Sequence, residues 1–152
     1  MAIGELCSRE VVFVTRSESV VDAARLMREH HVGSLVVVDT AQGRRVPVGM
    51  ITDRDVAVGV VALGLDPEKT LVEAAMRAEV VAIKESEGLG RAAQLMRAKG
   101  VRRLPVVDAS GALVGLLAAD DLLELLAEEM SGLAGMLGRG ALRERTERRA
   151  AL

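Results

Sequence analysis

The chain has 152 residues, half of them apolar, with one Phe, no Trp and no Tyr. That length allows one domain or two very small ones around a core of Val, Leu, Ala, Ile and Met. The net charge of −2 and the lack of aromatic faces for bases to stack on argue against nucleic acid as a partner. Cys7 is the single cysteine, so no intrachain disulfide can form, which fits a reducing compartment. The opening "MAIGELCSRE" lacks the basic and apolar regions of a secretory signal. No window approaches the apolar run of a membrane span. The expectation is a soluble cytoplasmic protein.

In chain order, "IGELC" reads as a short lead-in helix and "VVFV" as a β-branched strand. "SVVDAARLMREHH" places Val20, Ala23, Ala24, Met27 and His31 at three-to-four spacing, an amphipathic helix. "SLVVVD" is a buried strand, and "VPVGMI" returns as its hairpin partner. A helix follows from "TDRDVAVGVVAL", and "GLDPEKT" is a linker. "LVEAAM" is a second lead-in helix. "VVAI", a helix over "GLGRAAQLMRAKG", "RLPVVD", "ALVGLL" and "AADDLLELLAEEM" then repeat the order strand, helix, strand, strand, helix. Pro105 has no N–H to donate, so its strand should lie at an edge or carry a bulge there. Leu126, Met130, Leu133 and Leu137 keep helical spacing beyond that point. Gly132, Gly135, Gly138 and Gly140 weaken that helix by roughly 1 kcal/mol each against Ala. "RERTERR" reads as a solvated, fraying tail.

The two halves are copies of one element. Val11 to Asp39 aligns without a gap on Val80 to Asp108: Ser17-Glu18 on Ser86-Glu87, Leu26-Met27-Arg28 on Leu95-Met96-Arg97, Val37-Val38-Asp39 on Val106-Val107-Asp108. After an insertion within "TAQGRRVP", "VGMITDRDV" meets "VGLLAADDL". A self-match of this length marks a repeat. The expected domains are residues 1–66 and 67–130 as the two repeats and 131–152 as a helical, charged tail.

These repeats, each ending a strand in Gly-apolar-apolar before a polar helix start, resemble a tandem pair of CBS (cystathionine β-synthase) domains, a Bateman module, of the stand-alone prokaryotic type. The resemblance runs from about Ile3 to about Met130. It implies an α+β fold, two pseudo-symmetric β-α-β-β-α repeats packed sheet to sheet, with a C-terminal helical extension. It implies clefts that bind AMP, ADP, ATP or S-adenosylmethionine as regulatory ligands, a homodimer, no catalysis, no required cofactor and no metal. The module would signal by conformational change to a regulated protein that the sequence does not name.

Residue by residue, the resemblance puts Asp55 on the ribose hydroxyls and Thr52 near the phosphate, with Arg54 beside them. Gly49 leaves room for a close backbone approach, and the start of the second helix offers N–H groups to an anion. From the other repeat, Glu87, Ala92, Val101, Arg102 and Arg103 would face them, with Arg102 and Arg103 as the phosphate cations. A second, weaker cleft would draw on Glu18, Ala23, Val32, Gly33, Ser34, Asp120 and Asp121. There Ala118 replaces the hydroxyl residue, and Gly33 and Ser34 stand where the other copy has its two arginines. The plain structural reading of Thr52 and Asp55 is a capping box, and that of Arg102 and Arg103 is a solvated strand start.

His30 and His31 are adjacent on a helix and lack metal-like spacing with other donors. Cys7 aligns with Met76, which marks an apolar position. No nucleophile constellation, P-loop or GxGxxG occurs. The competing readings are a structural homodimerisation module with degenerate clefts and a weak nucleic-acid binder using Arg44, Arg45 and the tail. Both post-strand helices are apolar on nearly all sides, through Val56, Val58, Val60, Val61 and Leu63 and through Leu122, Leu123, Leu125 and Leu126, more than one core-facing stripe requires. These helices are the expected dimer surface.

Overall fold

A computed structural model describes residues 2–150, the side chains of 140–142 and 144–150 apart. The chain forms two compact units, Met1–Ala118 and Ala119–Leu152. The first unit holds two three-stranded sheets. In the first, β1 (Phe13–Thr15) runs parallel to β2 (Ser34–Ala41), which pairs antiparallel with β3 (Arg44–Thr52). Between β1 and β2 the chain crosses over through α2 (Val20–His30), whose Ser19 cap accepts from the Asp22 N–H. Its buried face is Val20, Ala23 and Met27. His31 ends the helix in the left-handed region, at φ 53°, a helix-terminal place as its sequence context suggests. β3 leads into α3 (Asp53–Val56), which continues as a π-helical turn over Ala57–Val61.

The second sheet repeats the pattern with shorter strands. β4 (Ile83–Lys84) is parallel to β5 (Arg103–Val107), and β5 is antiparallel to β6 (Leu113–Ala118), with α5 (Leu89–Lys99) in the crossover. The insertion in the first copy lengthens its hairpin. Gln42 and Gly43, at φ 51° and 75°, form its tip, the positive-φ pair of a tight hairpin turn. Pro105 sits in the middle strand of its sheet. β4 pairs only with Val106 and Val107, however, and Pro105 has its register partner, Leu116, on the other side. The register slips between Val106 and Val107, but the first sheet slips at the equivalent Val37 and Val38 without a proline, so the bulge belongs to the repeat; Pro105 is accommodated because β4 pairs only beyond it.

The lead-in helices α1 (Ile3–Leu6) and α4 (Val72–Ala75) both form, but each packs on the other repeat. Ile3 N donates to Glu87 O at 2.8 Å and Gly4 N to Glu85 O at 2.9 Å, while Ser8 and Leu116 exchange backbone hydrogen bonds at 3.0 and 2.9 Å. Symmetrically, Val72 N donates to Glu18 O at 2.9 Å, and Met50 and Arg77 exchange bonds at 3.1 and 2.8 Å. Val72 joins the core of Val14, Val20, Ala23, Leu35, Val37, Ile51 and Val60. The two strand glycines make the crossing possible. A Cβ on Gly49 would lie 2.6 Å from Arg77 O, and one on Gly115 would lie 2.5 Å from Cys7 Sγ and 2.9 Å from Ser8 O. The close approach that Gly49 permits is therefore that of the exchanged lead-in segment.

The second unit is one helix, α6 (Ala119–Ala150). Gly132, Gly135 and Gly138 weaken it without interrupting it.

Candidate functional site

At the C-terminal end of β3 the chain turns polar, and the geometry shows why. Thr52 caps α3: its Oγ1 accepts from Asp55 N at 3.1 Å, and Asp55 Oδ2 accepts from Thr52 N at 2.9 Å and from Thr52 Oγ1 at 2.8 Å. Asp53 N donates to Gly33 O at 3.0 Å, and Arg54 N donates to Asp53 Oδ1 at 2.8 Å. The backbone N–H groups of Thr52 through Asp55 thus all have protein acceptors. The expectation that this helix start offers N–H groups to an anion is corrected, because the capping box and the Asp53 carboxylate already take them. The second carboxylate oxygen of Asp55 looks toward Arg77 Nε at 3.6 Å, and the Asp55 side chain is 14% exposed.

Cations supply what that helix start does not. A cavity of about 390 Å³ opens between the two repeats, lined by Gly33, Ser34, Met50, Thr52, Asp53 and Arg54 on one side and by Arg77, Gly100, Val101, Arg102 and Arg103 on the other. Four guanidinium groups and one carboxylate give it a net positive lining. Its volume lies within the range of small-molecule sites. Met50 and Val101 add an apolar wall, and Gly33 and Gly100 expose backbone. All four arginines are exposed; cations gathered around one cleft favour an anionic, phosphate-like group, and the forked guanidinium suits it better than a point charge.

Of the residues expected in the main cleft, the fold gathers Thr52, Arg54, Val101, Arg102 and Arg103 around this cavity, with Asp55 behind the Thr52 cap. Glu87 and Ala92 do not line it. Glu87 accepts the Ile3 N–H with its carbonyl and pairs with Arg91 at 3.4 Å, and Ala92 is fully buried in α5. Gly33 and Ser34, expected in a second cleft, line this same cavity. The other members of that set do not line it. Glu18 Oε2 accepts from Thr15 N at 2.6 Å and Thr15 Oγ1 at 2.9 Å, and Ala23 is core. Val32 packs against the core with its N–H on Met27 O. Asp120 and Asp121 open α6, in the second unit.

Sequence reasoning missed Met50, Asp53, Arg77 and Gly100. Arg77 had a signal available: it follows Met76, the residue aligned with Cys7, and so leads into the second copy. Its place in the cavity comes from the crossed lead-in, which alignment within one chain does not reveal. Cys7 is buried, and that burial pushes its thiol pKa up, the opposite of what a nucleophile needs. Among the described residues no cluster of three or more metal-ligating side chains occurs. No helix among them is long and apolar enough to cross a membrane.

Comparison with known proteins decides the family. The CBS domain model matches twice, over residues 3–61 and 72–128. The chain belongs to the CBS domain family. It is 37% identical over 134 residues to the CBS domain-containing protein YhcV of Bacillus subtilis, covering 88% of this chain and 91% of that one. It is 35% identical over 125 residues to an uncharacterised Methanopyrus kandleri protein, covering 82% of this chain but only 62% of that longer one. Among solved structures, a CBS domain protein of Pyrobaculum aerophilum complexed with AMP aligns at a TM-score of 0.71 and 25% identity, over 84% of this CBS pair's chain and 99% of its own. CBS-pair neighbours of this kind share its mixed α+β architecture of paired sheets and helices.

Proposed function

We propose that this CBS pair is a non-catalytic regulatory module that binds an adenosine nucleotide in the Thr52/Arg102 cavity and signals to a separate protein. The observation that carries this is the cavity lining: four arginines from both repeats converge beside an apolar wall. The AMP held by the Pyrobaculum neighbour supports the ligand class. Adenine lies against Met50 and Val101, where the Met thioether suits an aromatic ring. The phosphate takes Arg102 and Arg103, with Arg54 at the mouth. The ribose diol displaces the long 3.6 Å Arg77 contact from Asp55 and donates to the carboxylate in its place. A ligand that bridges both repeats has a built-in difference in affinity between closed and open forms, which lets it shift a conformational equilibrium.

Thermal unfolding of the chain against AMP, ADP, ATP, S-adenosylmethionine and adenosine tests this reading. A ligand at a hundredfold excess over Kd stabilises the native state by about 2.7 kcal/mol. A melting point unmoved by every member of the panel at millimolar concentration would refute it.

A structural homodimerisation role has its own support in the complete internal engagement of Thr52 and Asp55. A dimer fits either reading. Val58, Val61, Leu63 and Leu65 are 55%, 64%, 68% and 47% exposed on and after the π-helical turn, while Val60 between them is buried. An apolar patch of this kind marks an interaction surface. Light scattering that reports a monomer at micromolar concentration would remove the dimer.

A further inference from the structure

Every residue of α6 from Leu126 to Arg139 is exposed in the chain. Within that stretch Leu126, Met130, Leu133 and Leu137 are 45%, 70%, 57% and 71% exposed. Their spacing is four, three, four, the seam of a two-helix coiled coil. Ala127 and Ala134 follow two of the seam leucines, so that flank is small enough for another backbone to come close. An isolated helix with Gly132, Gly135 and Gly138 in its interior is poorly stabilised by its own propensity and gains from packing on this face.

We infer that the Leu126–Leu137 face of α6 packs antiparallel against the same face of a second copy of this chain. Two features select that occupant. The seam is its own mirror about the midpoint between Ser131 and Gly132, so that in an antiparallel pair Leu126 meets the partner's Leu137 and Met130 meets the partner's Leu133. The charge of the helix also changes sign there. Residues 119–131 carry Asp120, Asp121, Glu124, Glu128 and Glu129 and no Lys or Arg, whereas residues 132–150 carry five arginines against two glutamates. The helix's own dipole accounts for charges in the first and last turns only, and Glu128, Glu129 and Arg139 lie well inside. Antiparallel pairing about that midpoint sets Glu124 beside the partner's Arg139 and Asp120 beside the partner's Arg143; a parallel pair would set like against like. The inference is independent of the nucleotide site and of the patch around Val61.

The test is cross-linking of the full chain with a short bismaleimide in two single variants, Met130→Cys and Leu123→Cys, with the unmodified chain and its buried Cys7 as the control. Position 130 lies three residues from its own mate across the two-fold, roughly 4.5 Å along the axis, and position 123 lies seventeen, roughly 25 Å, at 1.5 Å per residue. A covalent dimer at 130 and none at 123 is the expected result. Dimers at both positions indicate a parallel pair, and dimers at neither leave the face without a second copy; each overturns the inference. Adding Leu133→Glu to Met130→Cys should cut the cross-linked fraction at least tenfold. An unchanged fraction would trace the cross-link to another surface and also overturn it. A dimer mass by light scattering without cross-linking at 130 would leave the Val61 patch as the dimer surface and sink only the helix pair.

Discussion

Gly49→Ala probes the exchange of lead-in segments on which the cavity depends. Gly49 pairs with Val37 in the middle of the β2–β3 ladder, and both are buried, so the strand has little freedom to retreat. The new Cβ would sit 2.6 Å from Arg77 O and 3.0 Å from Met76 Sδ. The Met side chain can swing away; the carbonyl cannot move without pulling on the paired Met50–Arg77 hydrogen bonds of 3.1 and 2.8 Å. Losing two such bonds costs about 1–3 kcal/mol, and the overpacking adds about 1–3 kcal/mol where the chain does not yield. Against this, Ala restricts the unfolded chain and returns about 0.4–1 kcal/mol. The net is a loss of about 1–5.6 kcal/mol, or roughly 4–22 °C in melting temperature for a unit of this size. Gly59→Ala is the comparator, because a Cβ there meets nothing within 4 Å. Its melting temperature should be unchanged or higher. Calorimetric melting of both variants decides the matter. A Gly49→Ala melting point within about 2 °C of the Gly59→Ala value would show that the lead-in does not press on the strand, and the reasoning fails with it.

The double change Arg102→Ala, Arg103→Ala should weaken AMP far more than adenosine, with a larger loss at low salt than at high salt, where screening already reduces the charge term. Equal losses for the two ligands in a calorimetric titration would show that these arginines are only a solvated strand start. Asp55→Ala removes one half of the α3 capping box and should lower stability by about 1 kcal/mol in urea unfolding, besides reducing nucleotide affinity. Wild-type affinity in that variant would place the ribose elsewhere. The Asp108 carboxylate is held below its ordinary range chiefly by the Ser110 hydroxyl, with the Ala112 N–H helping. A depressed carboxylate stabilises the turn above its unfolded pKa and loses that contribution as pH falls through the folded one. The Ser110 and Ala112 amide signals should accordingly titrate with a midpoint below 3.8, and a midpoint at or above it would contradict the hydrogen bonds of this turn.

Much of this protein was determined by sequence alone, because the signals concerned are local or periodic. The self-match of Val11–Asp39 and Val80–Asp108 is enough to predict the order strand, helix, strand, strand, helix twice over. The three-to-four spacing of Val20, Ala23 and Met27 names the buried face of α2, and the Thr52–Asp55 spacing names the cap of α3. The alignment of Cys7 with Met76 even marks two equivalent positions, each of which presses on the strand glycine of a repeat. Tertiary structure decided the rest. No pattern within ten residues says that α1 joins the second repeat and α4 the first, since those bonds link positions up to about a hundred residues apart and depend on two glycines that merely allow them. For the same reason Arg77 enters the cavity unannounced, and Glu87 and Ala92, equivalent by repeat to Glu18 and Ala23, serve local bonds and core packing instead. The role of Thr52 and Asp55 changed most. Sequence shows which groups stand at the helix start; only the folded geometry shows that the N–H groups there are already engaged by protein acceptors and that four arginines line the cavity beside them.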